Sequence, residues 1–233
     1  MPYELIGGAI YFPDRKVLAM ADLHLGYEAE LRRKGVMIPA NEFRMLHKRI
    51  SRILSKTKPK MVVVCGDFKH SFGTITDAEW RQAVKIMELL TRDSEVILIT
   101  GNHDIMLGPI ARVKGFRTEN SWKEADILFM HGDKLPLGEE KGAKTIVIGH
   151  QHPAIGISKG ARKEVVKCYL VGSWKRRKLI VLPSMFSLSE GSDVLREKII
   201  TPFIRQVANL KVFALSGGDI LYFGKVSDVR TLG

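Results

Sequence analysis

The 233-residue chain is long enough for one sizeable core and short for two independent ones. Its apolar fraction of 45% and charged fraction of 27% are those of a folded globular protein, and no stretch approaches ~18 consecutive apolar residues, which excludes a membrane-spanning helix. Lys and Arg number 37 against 25 acids, a formal +12 that favours a polyanionic partner, nucleic acid or an acidic membrane surface.

The excess is concentrated late: from Lys159 onward 14 basic residues stand against 6 acidic ones. The N-terminal MPYELIGGAIYFPDRK has no basic segment followed by a long apolar run, so no signal peptide is expected. Cys65 and Cys168 form no CxxC pair, and these features together predict a reducing cytoplasm.

Short apolar runs alternate with amphipathic stretches through the first 150 residues. Residues 5–10 and 17–21 predict the opening strands, joined through Pro13-Asp14. Residues 39–56 predict a helix, with Phe43, Leu46, Ile50, Ile53 and Leu54 on one face and Pro39 at a start that tolerates a missing donor. Met61–Cys65 predicts a buried strand. Thr76 and Glu79 have the spacing of a capping box, and Trp80, Val84, Met87 and Leu90 mark the face of the helix that follows. Residues 96–100, Ile127–Met130 and Thr145–Ile148 continue the strand series, which argues for an α/β core. After Pro153 the pattern becomes strand-rich, with strands predicted over 165–171, 179–182, 212–215 and 220–223. Residues 185–204 stay open between loop, short helix and flap. No Pro/Gly/Ser-rich linker divides the chain, so 1–233 is expected to be one domain with a second sheet packed on the first.

Six of the seven histidines fall at the ends of these runs. The clusters read Asp22-Leu23-His24, Gly66-Asp67-Phe68-Lys69-His70, Gly101-Asn102-His103-Asp104, His131-Gly132-Asp133 and Gly149-His150-Gln151-His152. One such cluster is an ordinary polar loop; five in order on strand ends point to a pair of divalent cations held by nitrogen and oxygen ligands. A structural zinc site lacks the thiolates, and a Ser–His–Asp nucleophile lacks a glycine-framed serine. Phosphoryl transfer to water at two metals remains.

The ordered set D-x-H, G-D, G-N-H-D, H-G and G-H-x-H, from Asp22 to His152, resembles that of the calcineurin-like metallophosphoesterases. The resemblance implies a four-layer α/β/β/α sandwich with two mixed sheets and a metal site at the carboxyl ends of the strands. By the same resemblance Asp22, His24 and His152 hold one metal, Asp67 bridges, and Asn102, His131 and His150 complete the second. His103 then protonates the leaving oxygen, with Asp104 orienting its ring. Mn²⁺ is the preferred metal for this mixed donor set, with Fe, Zn and Mg as alternatives.

Gly66-Asp67-Phe68-Lys69-His70 matches the Gly-Asp-x-x-His of the SbcD-type DNA-repair nucleases, apart from Lys69, which stands where they usually carry an aromatic residue. His70 would then contact the scissile phosphodiester or the leaving group. The chain looks closest to the small SbcD-related, ligase-associated DNA-damage-response phosphoesterases of archaea and bacteria. That likeness implies a DNA nuclease linked to repair, with DNA as partner, repair proteins as candidate further partners, and no membrane. Lys69 and the run Lys175-Arg176-Arg177-Lys178 are candidate phosphate contacts, as are the basic residues of the 39–58 helix. Trp80, Trp174 and Phe72 are candidate base-stacking residues, though core packing is the first expectation for each. The rivals are a small-molecule phosphatase or cyclic-nucleotide phosphodiesterase, and a partner-binding scaffold without chemistry.

Overall fold

The computed structural model describes residues 2–38, 41–71, 75–104, 116–159, 162–188 and 190–230. The opening run expected as one strand is two, β1 (Glu4–Ile6) and β2 (Ala9–Phe12). Gly7 and Gly8 adopt φ of 54° and 95° between them, the left-handed pair that a two-residue hairpin demands and that side chains resist. β3 (Val17–Met20), β4 (Met61–Cys65), β5 (Glu95–Ile99) and β6 (Arg117–Glu119) then run parallel, so the first sheet is mixed and ordered β1-β2-β3-β4-β5-β6.

The connections on its outer face are α1 (Tyr27–Arg33), α2 (Glu42–Thr57) and α3 (Asp77–Thr91). The capping box at Thr76 forms as expected: its side chain accepts from Glu79 N, and the Glu79 carboxylate accepts from Thr76 N. α2 begins at Glu42, and Pro39 lies outside the described residues, as does Phe72.

The second sheet is built from β7 (Ser121–Glu124), β8 (Ile127–Met130), β9 (Thr145–Ile148), β10 (Pro153–Lys159), β11 (Arg162–Trp174), β12 (Arg177–Val181) and β13 (Ser192–Asp193). Its order is β13-β10-β11-β12-β9-β8-β7, with β14 (Lys211–Ser216) on β11 and β15 (Asp219–Lys225) on β14. β8, β9 and β12 are mutually parallel; the hairpins around them are antiparallel, so this sheet is mixed as well.

Strand alternation distributes the apolar side chains among three packed zones. Val62 and Val64 of β4 face α2 and α3 with Ile50 and Ile86. Val63 points the other way and meets Phe129, Val147, Tyr169 and Ile180 of the second sheet. Beyond that sheet, Leu128, Ile146 and Leu170 pack under Phe203, Ile204 and the five-residue helix α4 (Val226–Arg230). The outermost layer there is mostly coil among the described residues, the form taken by much of 185–204. Each fully buried Val, Leu or Ile stabilises by roughly 1.5–3 kcal/mol, so the inter-sheet zone is what holds the two sheets in register. No helix among the described residues is long and apolar enough to cross a membrane.

Candidate metal centre

The parallel strands of the two sheets end at a common edge, where the five clusters meet. After β3 and β4 the chain keeps pairing beyond the strands. His24 N donates to Asp67 O (2.9 Å), Leu25 N to Phe68 O (3.0 Å), and His70 N returns to Leu25 O (3.0 Å). This ladder fixes Asp22, His24 and Asp67 side by side. Two glycines make room. A Cβ on Gly66 would lie 2.0 Å from the His131 ring, and one on Gly101 would lie 2.2 Å from the Asp67 carboxylate. Both positions therefore exclude any side chain.

Seven side chains converge. His24 Nε2 lies 3.3 Å from His152 Nε2 and 3.8 Å from Asp67 Oδ2. His152 Nε2 lies 3.3 Å from Asp22 Oδ2, which also accepts from His150 N (2.9 Å). On the other side of Asp67, His131 Nε2 is 3.6 Å from its Oδ2, 2.9 Å from Asn102 Oδ1 and 3.1 Å from His150 Nδ1. Ligand atoms of His24, Asp67 and His152 form one tight group and those of Asp67, His131 and His150 another, sharing Asp67. Each group draws on both sheets.

The donor set fits a pair of cations. His131 Nδ1 is 3.3 Å from the Cys65 carbonyl; donating to it leaves Nε2 a lone pair aimed at the oxygens of Asn102 and Asp67. Lone pairs facing lone pairs repel unless a cation, or a second proton on the ring, lies among them. Asp22 Oδ1 is buried with no hydrogen-bond partner among the described residues. Burial, then the neighbouring His152, holds the His24 imidazole well below its usual range. Burial and the His131 charge lower His150 to about 4. Both rings are thus neutral near pH 7, the form that ligates. Burial opposes the raised value of His131, but the carboxylates of Asp22 and Asp67 outweigh it. Asp67 is raised by burial, a cost that an adjacent cation relieves.

At the open rim His24, His70 and His103 form a third cluster. His103 takes its orientation from backbone: its Nδ1 donates to the His70 carbonyl, and its N–H donates to Asp67 Oδ1 (3.0 Å). Asp104, expected to orient that ring, instead accepts from the N–H groups of Gly101 (3.0 Å), Phe68 (3.2 Å) and Lys69 (3.2 Å), tying two loops together. His70 lies against the Tyr27 ring (centroids 3.9 Å apart, 35° between planes), with its Nε2 3.6 Å from Glu30 Oε2. Phe186 closes the side, 5.1 Å from Tyr27 and 6.3 Å from His24 between centroids. Neither Tyr27 nor Phe186 was anticipated. Tyr27 follows His24 by three residues and was visible as the aromatic member of its cluster; Phe186 carries no local signal.

Two groups of candidate phosphate contacts sit elsewhere. Lys69 is fully buried, and its Nζ donates to the carbonyls of Ser71 and His103 (2.7 Å for the latter), so it props the loop and does not face the cleft. Lys175 and Arg176 form the β11–β12 turn, and Arg177 opens β12 opposite Trp174. Lys178 pairs with Thr145, the first residue of β9, while His150 lies two residues past the last. At ~3.3 Å per residue the turn lies more than ~15 Å from the ligands, at the opposite edge of the sheet. Trp174 is buried against Phe203 in the outer core (5.1 Å), and Trp80 packs, partly buried, against the first-sheet core, away from the rim.

The sequence model of the calcineurin-like phosphoesterases matches residues 15–172. Nuclease MPE of Pseudomonas putida has a crystal structure that superposes with a TM-score of 0.69 at 19% identity, over 95% of this chain and 94% of that one. That likeness is one of fold. The phosphoesterase YfcE of E. coli is more distant, with a TM-score of 0.43 at 12% identity over 90% and 98%. No protein of curated function matches the sequence.

Proposed function

The chain belongs to the calcineurin-like phosphoesterase family and is a metal-dependent phosphoesterase; from that premise we propose that it hydrolyses phosphodiesters, with DNA as the substrate class and repair as the setting. The observation that carries this reading is the pairing of His70 with His103 at the rim of a two-group ligand cluster. A monoester needs one proton donor at the leaving oxygen. A diester leaves a second esterified oxygen to be met, and His70 is the residue available for it. Nuclease MPE, a nuclease on the same fold, and the +12 charge of this chain support the same direction.

Asp22, His24 and His152 would hold one divalent cation and Asn102, His131 and His150 another, with Asp67 shared. Imidazole, carboxylate and amide oxygen together suit Mn²⁺. When bound, such ions supply Lewis acidity at the phosphoryl oxygens and lower the pKa of the attacking water. The protein's own part is orientation and proton delivery. The His70 carbonyl accepts from His103 Nδ1, which turns Nε2 toward the leaving oxygen; the imidazolium form of the ring carries the proton delivered there. Tyr27 and Glu30 hold the His70 ring beside it.

The test compares wild type, His103→Ala and His70→Ala with Mn²⁺ on linear and circular DNA, bis-p-nitrophenyl phosphate and p-nitrophenyl phosphate. His103→Ala lowers kcat by roughly 10²–10⁴-fold on every substrate with a poor leaving group. His70→Ala reduces diester cleavage at least tenfold more than monoester cleavage. Equal losses on both esters, with no DNA cut by wild type, would replace the nuclease with a small-molecule phosphatase.

A further inference from the structure

The basic β11–β12 turn lies too far from the ligands to serve them, but it is one end of a groove of about 800 Å³ on the outer face of the second sheet. The groove runs from Leu135, four residues beyond His131, to Lys175 on the turn. One wall is the segment following Thr201, whose hydroxyl donates to the Gly132 carbonyl (2.7 Å) next to His131. Ile200 N and Thr201 N donate to Gln151 Oε1 (2.8 and 3.2 Å), between the ligands His150 and His152. The wall is therefore anchored to the metal edge at its upper end.

The floor is apolar and already sealed. Trp174 packs on Phe203, and the Leu210 side chain fills the space beside Gly172, where a Cβ would come within 2.2 Å of it. The rim is cationic. Lys175, Arg205 and Lys211 line the groove and are exposed, whereas the Lys178 ammonium turns away to lie over the Tyr3 ring (5.0 Å to its centroid). No acidic residue lines it, and no carboxylate pairs with these three groups, among the described residues. Ser173, Gln206 and Asn209 place neutral hydrogen-bonding side chains among the charges.

We infer that this groove binds single-stranded nucleic acid through its phosphate backbone, as a track separate from the metal centre and leading to it. The inference rests on the nucleic-acid reading of that centre. Cations of one sign on both walls of a single concavity, interspersed with neutral donors, complement a chain of spaced phosphates and sugars. A lipid surface would need a cluster of apolar side chains free to insert; Leu135 and Pro202 are the exposed apolar residues of the lining, and Trp174, Phe203 and Leu210 are buried. An acidic peptide would find the same charges but lacks the regular phosphate spacing of a nucleic-acid strand.

The experiment measures binding of a fluorescein-labelled oligothymidylate by anisotropy in EDTA, across a salt series, for the full chain and two variants. Wild type binds without metal, and log K falls with log salt at a slope of roughly −2 for three contacts to a single strand. K175Q/R205Q/K211Q loses at least tenfold in affinity and flattens the slope by about 2, while its Mn²⁺-dependent hydrolysis of bis-p-nitrophenyl phosphate is unchanged. K56Q/K60Q/R92Q, which removes as many exposed cations from the first-sheet side, keeps wild-type affinity. The groove is ruled out if the first variant binds as wild type does, or if the second loses as much. Competition by polyglutamate as effective as unlabelled oligonucleotide also removes the nucleic-acid assignment. Groove-dependent binding by a wild type that cuts no DNA would keep the groove and strike the nuclease reading; undiminished binding and cutting by the groove variant would do the reverse.

Discussion

Five of the seven proposed ligands, Asp22, His24, Asp67, His150 and His152, have positive φ, between 43° and 65°. A chain leaving a strand must reverse sharply if its next side chains are to point back over the strand end. The left-handed region achieves this within one residue, at about 1–3 kcal/mol for a non-glycine, and Asp and His tolerate it better than most. The strain sits where ligand geometry requires it. His152→Gly relieves it at φ 47°, whereas His152→Ala keeps it while removing the same ligand. In metal-free protein the Gly variant is expected to melt about 2–4 °C above the Ala variant, the effect of about 1 kcal/mol in a chain of this size. The opposite order, read by calorimetry in EDTA, would show that the left-handed backbone carries no cost. That these side chains would gather at one edge was legible in the sequence because Asp, Asn and His announce their chemistry wherever a strand ends. Lys69 and Asp104 were misread for the complementary reason. What each one bonds to is the backbone of another loop, and backbone partners carry no residue identity to read.

Among elements, the segment after β12 was the least legible and has an anchor that no local pattern reveals. Lys167 of β11 donates to the carbonyls of Ser184 (3.0 Å) and Phe186, and Arg49 of α2 donates to those of Gly7 (2.6 Å) and Met185 (3.5 Å). Ser184 Oγ in turn donates to Asp22 O (2.9 Å). Three elements distant in sequence thus hold the loop that sets Phe186 against His24. α2, α3 and the central strands could be read from periodicity, whereas this loop depends on cations reaching carbonyls across the fold. Burial, and then the charge of Arg49, lowers the Lys167 amine to about 7. Between pH ~7 and the ordinary lysine value of ~10.4 the unfolded chain binds a proton that the folded protein lacks, so the contribution of Lys167 to stability rises with pH through that window. Each pH unit there adds up to about 1.4 kcal/mol. Lys167→Met is expected to flatten the rise of Tm between pH 7 and 10, measured against wild type in one buffer series. Parallel profiles would mean that the amine keeps its proton on folding.

At the scale of the whole molecule the proposed metal centre would fasten together two sheets that otherwise meet largely through apolar contacts. Those contacts include one polar pin, the Tyr169 hydroxyl, which donates to Ala9 O (2.8 Å) and accepts from Gly8 N (2.8 Å). The first-sheet ligands His24 and Asp67 are completed by His152 of the second, and the same Asp67 is completed by His131 and His150. Ions bound only by the folded state stabilise it by mass action, about 2.7 kcal/mol per site at a hundredfold excess over Kd. Because Asp67 belongs to both groups, its loss removes both contributions, while loss of His152 removes one. MnCl₂ is therefore expected to raise the Tm of wild type by about 10 °C or more, of His152→Gly by about half as much, and of Asp67→Gly hardly at all. Glycine suits the left-handed backbone at both positions, so each variant reports the missing ligand and not a strained turn. Equal shifts in the two variants would mean that Asp67 serves a single ion, and the shared-carboxylate arrangement would fall with it.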